Sequence, residues 1–309
     1  MDRVRRLVGV ADENGVRKAG IPTGKGIVVA IIDTGINLHT DFMKGKENRI
    51  IRFVDIINKK NLIYDDCGHG THVSGIVAGN GLASKGKYEG IAPEVGIISI
   101  KALNKLGNGK ISDVLEAFEW IISNRVKYNI KIVNISMGAG NGPNINEDCK
   151  LVLGIEKLWD CGVVVCVAAG NNGPAKTTIT MPGISRKIIT VGCLDDDMEV
   201  IMNDSKVVNY SGRGPTNAAI MKPEVVAPGG NVTSCGGGYR KYVIKSGTSM
   251  ATPVVSGLIA LLLEKYPDLS NKQVKKILNL SAKDTGEDKC KQGWGKIDIE
   301  SMMKFAKII

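Results

Sequence analysis

The sequence predicts an α/β fold, with a mostly parallel central sheet flanked by helices in three layers. Three features predict it: strand-length apolar runs, helix-period segments between them, and glycine-rich turns where the runs end. The apolar runs are continuous rather than alternating, as in strands buried on both faces of a parallel sheet. Strands are expected at residues 27–32, 95–102, 131–137, 163–169, 187–193 and 224–227. Helices are expected at 71–78, 112–128, 147–160 and 250–265. Pro253 is expected in the first turn of the last of these, where no N–H partner is lost. A further helix should start at Ser270, with Gln273 three residues on as a capping box. No Pro-rich linker or low-complexity tract divides the chain, so one domain is expected over residues 1–309, with residues 1–20 as a short N-terminal extension.

Composition narrows the function classes. Apolar residues are 43% and charged residues 23%, as in ordinary soluble globular proteins. No apolar run approaches the roughly 20 residues a bilayer span needs, so no membrane partner is expected. The net charge is +10, but the lysines are scattered and aromatics are only 5%, so no nucleic acid is expected either. The start, "MDRVRRLVGVADENG", is too polar for a signal peptide, and seven cysteines are an odd count for a secreted disulfide framework. Both favour a cytoplasmic location. The sequence does not address oligomeric state.

In a parallel α/β sheet, active groups gather beyond the carboxyl ends of strands. Asp33 follows the first apolar run, where it either caps the turn at Thr34-Gly35 or works as a carboxylate. "DDCGHGTHVSGIVAG" follows, with His69 between two glycines at a helix start. Its bland readings are a loop histidine or, with His72, Cys67 and Asp66, a metal cluster; no second ligand pair supports the metal. "AAGNNGP" places Asn171 behind a glycine at a strand end, either as a left-handed turn or as an amide donor to an oxyanion. "GAGNGPN" lacks the glycine spacing and lysine of a phosphate loop.

"SGTSMATP" puts Ser249 at the mouth of an apolar helix. It either caps the helix or presents a nucleophile whose backbone N–H faces an oxyanion. Thr248 and Thr252 are expected to bond locally. Together these residues supply an acid, a base, a nucleophile and an oxyanion donor, the requirement for acyl transfer.

The set closely resembles the subtilisin-like serine proteases, the subtilases of peptidase family S8, whose chain order is Asp, His, Ser. The matching motifs are "VVAIIDTGI", "GHGTHVSGIVAG", "AAGNNGP", "SGTSMATPVVSG", "VNISMG", "YSGRGPT", "KPEVVAPG" and "GWGKIDI", spread over about residues 15–303. The loops look most like those of bacterial intracellular subtilases. The resemblance implies a serine endopeptidase acting on protein or peptide substrates. It assigns Asp33, His69 and Ser249 as the triad and Asn171 as the oxyanion-hole donor. Ser136, Met137 and Gly138 would pair with substrate backbone. Gly138, Ala169 and Gly170 would wall the first specificity pocket. Residues 105–109, with Ile111 and Val114, would form the far side of the cleft. Such a pocket is apolar and predicts an uncharged hydrophobic residue before the cut.

The resemblance implies no catalytic cofactor. Asp41 matches a family calcium ligand, but the usual calcium loop is replaced by "GNGLASKGKYEG", which leaves structural calcium open. Too little chain precedes residue 20 for a folding pro-segment, and "MDRVRRLVGV" either lies across the cleft or frays. Cys67 is either a small loop residue or a thiol close enough to His69 to block the cleft when modified. A dedicated leader-peptide processing protease and a peptide-binding pseudoprotease are the alternatives.

Overall fold

The computed structural model describes residues 1–140, 148–202 and 204–309. Seven strands make the central sheet: β1 (Val28–Asp33), β2 (Ile50–Asp55), β3 (Gly96–Lys101), β4 (Ile130–Ile135), β5 (Val164–Ala168), β6 (Ile189–Cys193) and β7 (Val225–Ala227). Their order is β7-β6-β5-β4-β1-β3-β2, and every pair is parallel. The helices are α1 (Asp2–Leu7), α2 (His69–Ala78), α3 (Ile111–Asn124), α4 (Lys150–Asp160), α5 (Thr248–Lys265), α6 (Asn271–Ser281), α7 (Lys289–Gln292) and α8 (Ile299–Ala306).

Six strands fall where the apolar runs predict them. Their buried residues, among them Val29, Ile32, Ile98, Ile132 and Val165, form the centre of the core. The exception is β2, which carries exposed Ile51 and Arg52. Its outer residues are exposed, so it has no continuous apolar run to betray it. Helices α2 and α5 pack together on the sheet, and α3 packs with α4 to complete the three layers. The expected start of α4 at Glu147 and most of "GAGNGPN" lie outside the described residues.

Helix α5 is the buried spine. It is apolar nearly all round and packs on β4, β5 and β6, as a fully enclosed helix should. It starts two residues earlier than expected, at Thr248, after Gly247 at φ 139°. Pro253 therefore lies in the second turn, not the first. It has no N–H to give the carbonyl of Ser249, four residues back.

The N-terminal segment packs against the fold and, among the described residues, makes no hydrogen bond to the residues lining the clefts. Val4, Val8 and Val10 of this segment are buried in the core. Arg3 bonds Asp195 and the Gly230 carbonyl, and the Ile299 N–H donates to the Val8 carbonyl.

Candidate active site

The sheet order reverses beside β1: β3 and β2 lie on one side of it, and β4 through β7 on the other. Such a switch point opens a crevice beyond the strand ends. Asp33 is the last residue of β1 and is 1% exposed. Its Oδ1 accepts the Thr34 N–H at 2.7 Å and lies 2.7 Å from His69 Nδ1. A carboxylate only accepts, so Nδ1 carries the proton and Nε2 is left as the basic nitrogen.

The His69 loop is tied to the end of β1. Asp65 accepts from the N–H groups of Cys67, Gly68 and Thr71, and from the hydroxyls of Thr34 and Thr71. Thr34 in turn accepts from the Gly70 N–H at 2.9 Å. A side chain at Gly70 would strike the Gly35 carbonyl, so glycine is what lets the helix start approach this closely. Gly68 precedes the helix at φ 81°. Buried Lys101 closes the same corner from β3. Its ammonium donates to the carbonyls of Thr34 and Leu103 and to Asp66. Neither Asp65 nor Lys101 was singled out from sequence: most partners of Asp65 are backbone N–H groups, and those of Lys101 are backbone carbonyls and an acid 35 residues away.

Burial pulls the His69 imidazole down, but the Asp33 carboxylate and its hydrogen bond outweigh it, leaving the group above its ordinary value. His72 goes the other way. Burial first, then the charges of His69 and Lys245, push it down to about 3. It is fully buried, and Nε2 donates to the carbonyls of Val232 and Val243. His72 is thus a neutral strut between α2 and the hairpin at 232–245. No shared metal position joins it to His69, whose Nδ1 is bound to Asp33.

Ser249 lies in the first turn of α5, where leading N–H groups have no intrahelical acceptor. Its hydroxyl donates to the Ser136 carbonyl at 2.9 Å. The Ser136 side chain is anchored in turn: Ser256 on α5 donates to Asn134, and Asn134 donates to the Ser136 hydroxyl. Across from Ser249, Asn171 Oδ1 accepts both the N–H and the hydroxyl of Thr248, each at 3.0 Å. Its carbonyl end is thus held, and its NH2 end remains to donate. Thr248 was expected to bond only locally; it instead orients Asn171, 77 residues away.

Two clefts meet at Met137 and Gly138. One, of about 220 Å³, is lined by Ser249, Thr248, Asn171, Gly170, Ala168 and Thr180. The other, of about 210 Å³, includes Gly107, Asn108, Gly109, Ile111, Val114 and Leu151. Ile111 and Val114 thus line this second cleft. Ala169 does not line the first cleft. Its side chain points into a small cluster with Val152, Ile179 and Ile184, and its neighbour Ala168 takes the wall position. The cause is strand alternation, which sends adjacent side chains to opposite faces. Ser136 is buried, and its carbonyl is taken by Ser249. Cys67 is half-buried, and its thiol makes no hydrogen bond among the described residues.

Asp41 does not offer a calcium site. Its Oδ1 accepts the Ala83 N–H at 2.9 Å and its Oδ2 accepts the Tyr242 hydroxyl at 2.8 Å. The Arg49 guanidinium, itself a cation, binds the carbonyls of Asp41 and Ala78 at 2.6 Å. The nearby ligand-type atoms are His39 Nδ1 and Cys235 Sγ. Calcium needs six to eight oxygens, not nitrogen and sulfur beside a buried arginine.

The model of the Subtilase family matches residues 24–295. Serine protease AprX of Bacillus subtilis (strain 168) is 41% identical, over 93% of this chain and 68% of its own length. Subtilisin DY of Bacillus licheniformis is 33% identical, over 90% of this chain and 91% of its own. Thermostable alkaline protease of Halalkalibacterium halodurans is 32% identical, over 84% of this chain, which spans 63% of that protein. Among solved structures, Sphericase superposes with a TM-score of 0.76 at 27% identity, covering 96% of this chain and 97% of its own. The chain belongs to the subtilase family of serine proteases.

Proposed function

We propose that this chain is a serine endopeptidase that cuts peptide bonds through Asp33, His69 and Ser249, with an uncharged apolar residue preferred before the cut. The observation that carries the reading is the 2.7 Å contact from Asp33 to His69 Nδ1, which leaves Nε2 as the basic nitrogen.

In this reaction Ser249 releases the Ser136 carbonyl and passes its hydroxyl proton to His69 Nε2. Its Oγ attacks the scissile carbonyl carbon. Asp33 stabilises the imidazolium that forms. The tetrahedral oxyanion accepts from the Asn171 NH2 and the Ser249 N–H. His69 then protonates the leaving amine, and water hydrolyses the acyl-enzyme by the same route. The substrate strand lies along Met137 and Gly138, and apolar side chains enter the two clefts there. With all four catalytic groups present, nothing favours the pseudoprotease. Asp41 supports no calcium requirement. An odd set of seven unpaired cysteines supports work in a reducing, cytoplasmic compartment, which fractionation of cells expressing the tagged protein would test.

The first experiment is hydrolysis of a chromogenic peptide by wild type and Ser249→Ala, with and without a serine-directed phosphonate. Turnover lost in both cases, with a covalent adduct on Ser249, supports the reading. Turnover that survives Ser249→Ala refutes it.

A further inference from the structure

The N-terminal segment reaches toward the nucleophile through one arginine. Val4 and Val8 seat α1 in the core. Arg3 points away from them, and its Nη2 donates to Asp195 Oδ2 at 2.6 Å and to the Gly230 carbonyl at 2.5 Å. Arg3 is the one donor on Oδ2 among the described residues. The other oxygen of Asp195 accepts the N–H groups of Gly229 and Gly230 at 2.7 and 2.8 Å. The Cys193 thiol donates to that same oxygen at 3.2 Å. Burial acts to raise the Asp195 carboxyl, but the Gly229 N–H and Arg3 outweigh it and keep it below its ordinary value. A buried carboxylate so held fixes the turn at 229–230, and Arg3 supplies its countercharge.

The same turn grips the residues just before Ser249. The Gly229 carbonyl accepts the Gly247 N–H at 3.0 Å, and the Ser246 hydroxyl accepts the Asn231 N–H at 2.9 Å. The fit is close. A methyl group on Gly229 would stand 2.6 Å from the Gly247 carbonyl, and one on Gly247 would stand 3.1 Å from the Asn171 amide nitrogen. The Gly247 carbonyl in turn accepts the Met250 N–H at 2.9 Å, in the first turn of α5. Gly247 therefore lies between the turn that Arg3 clamps and the amide that donates to the oxyanion, and it opens the helix that carries Ser249. Packing this tight transmits a displacement rather than absorbing it.

We infer that Arg3 is a positioning residue for this endopeptidase: it clamps the turn at 229–231 from the N-terminal segment and so sets the placement of Ser249 and of the Asn171 amide. The inference rests on the proposed protease reading and extends its machinery to a segment outside the sheet and its flanking helices. Arg3 touches no substrate and moves no proton. None of the bonds in the clamp involves Met137 or Gly138, where the substrate strand lies in that reading, so losing Arg3 should fall on kcat and spare KM.

The test compares wild type with Arg3→Met, Arg3→Lys and Arg3→Gln, and with Arg6→Met as a control. Methionine keeps the apolar stem and removes the guanidinium. Arg6 sits on the same helix but bonds Asp2 and the Glu13 carbonyl instead. Four quantities are measured: kcat and KM on a chromogenic peptide, the rate at which a serine-directed phosphonate labels Ser249, and the urea midpoint. Arg3→Met should lower kcat and the labelling rate roughly tenfold or more, with KM within about twofold of wild type. Arg3→Lys, which restores the charge and a donor, should recover both rates to within about threefold, and Arg6→Met should hold them within about twofold. If Arg3→Met does not fold, Arg3→Gln decides, with an expected loss of about threefold or more in both rates. Folded Arg3 variants that lower only the urea midpoint overturn the inference, since Arg3 is then a structural tie alone. So does a loss confined to KM, or an equal loss in Arg6→Met. In each of these cases wild type still cuts and takes the label, and only the role of Arg3 falls. If wild type neither cuts the peptide nor takes the label, the protease reading falls and this inference with it.

Discussion

Two histidine–aspartate pairs lie among the described residues, one with its histidine partly exposed and one fully buried. In the first, Asp33 meets His69 Nδ1 at 2.7 Å. In the second, His39 Nδ1 lies 3.8 Å from Asp41 Oδ1. The residue types are the same, but their free valences differ. His39 is fully enclosed and both ring nitrogens are committed: Nδ1 accepts the Asp41 N–H and Nε2 bonds the Lys241 carbonyl. Both Asp41 oxygens are taken as well. His69 has Nδ1 committed, but Nε2 accepts no hydrogen bond among the described residues, and its side chain is 23% exposed. Burial lowers His39, whereas Asp33 raises His69. A histidine–aspartate pair becomes chemistry when one nitrogen is left over and reaches a cleft. Otherwise it is scaffold.

Replacing the two histidines tests this contrast most severely. His69→Ala should lose roughly 10⁶ in kcat, the size found for the same kind of loss in subtilisin and carried over from it. His39→Ala should keep kcat within about threefold and lower the urea midpoint instead, since it strips partners from buried groups. Equal kinetic losses would erase the distinction.

Exchanging the carboxylates comes next. Asp33→Asn should cost roughly 10⁴ in kcat through loss of the correct imidazole tautomer, by analogy with the trypsin-like triad, with little change in melting temperature. Asp41→Asn should reverse the pattern, costing about 1–3 kcal/mol of stability with kcat nearly unchanged. Kinetics and urea melts on the same preparations measure both.

On the oxyanion side, Asn171→Ala should lower kcat by about 10²–10³ with KM little moved, a magnitude taken from subtilisin itself. Thr248→Val removes one of the two bonds holding the Asn171 carbonyl, the hydroxyl, while the residue-248 N–H and the Asn171 NH2 remain, so a smaller loss of about tenfold is expected. A Thr248→Val enzyme as active as wild type would deny Thr248 its positioning role.

Titration separates the pairs by sign. His69 must be neutral to act as base, so kcat/KM should rise with pH through a value above the ordinary histidine range near 6.5. The stability its ion pair confers is present below that range and lost as pH rises through the raised value. His39 and His72 are held neutral in the fold, His72 down to about 3. Below pH 6.5 the unfolded chain binds the protons they refuse, so their contribution fades as pH falls from about 6.5 toward 3. Urea midpoints between pH 7 and 4 should decline, and His39→Gln should blunt the slope.

The smallest expected effect is none. A chelator should leave the melting temperature within about 2 °C, because Arg49 and Tyr242 already satisfy the groups around Asp41. A drop of 10 °C on chelation would show a cation that this donor set does not suggest.

Most of the sheet was legible because β1 and β3 through β7 are continuous apolar runs, and burial on both faces leaves that mark. The edge strand β2 leaves none. Asp33, His69, Asn171 and Ser249 stood out because strand ends and helix starts are where a parallel sheet collects reactive groups. Ala169 was misplaced by one residue, since periodicity does not say which of two neighbours turns outward at a strand exit.

The sequence by itself determined the alternation of strands and helices, the order of the catalytic residues and the glycines on which the close approaches rest. These follow from local preference and from the need to bury apolar runs. Only the tertiary structure decided that Thr248 holds Asn171 and that Asp41 is already satisfied by Ala83 and Tyr242. Each is a contact between residues far apart in the chain. Which polar atoms are paired, and which remain free to react, depends on how the packed elements meet.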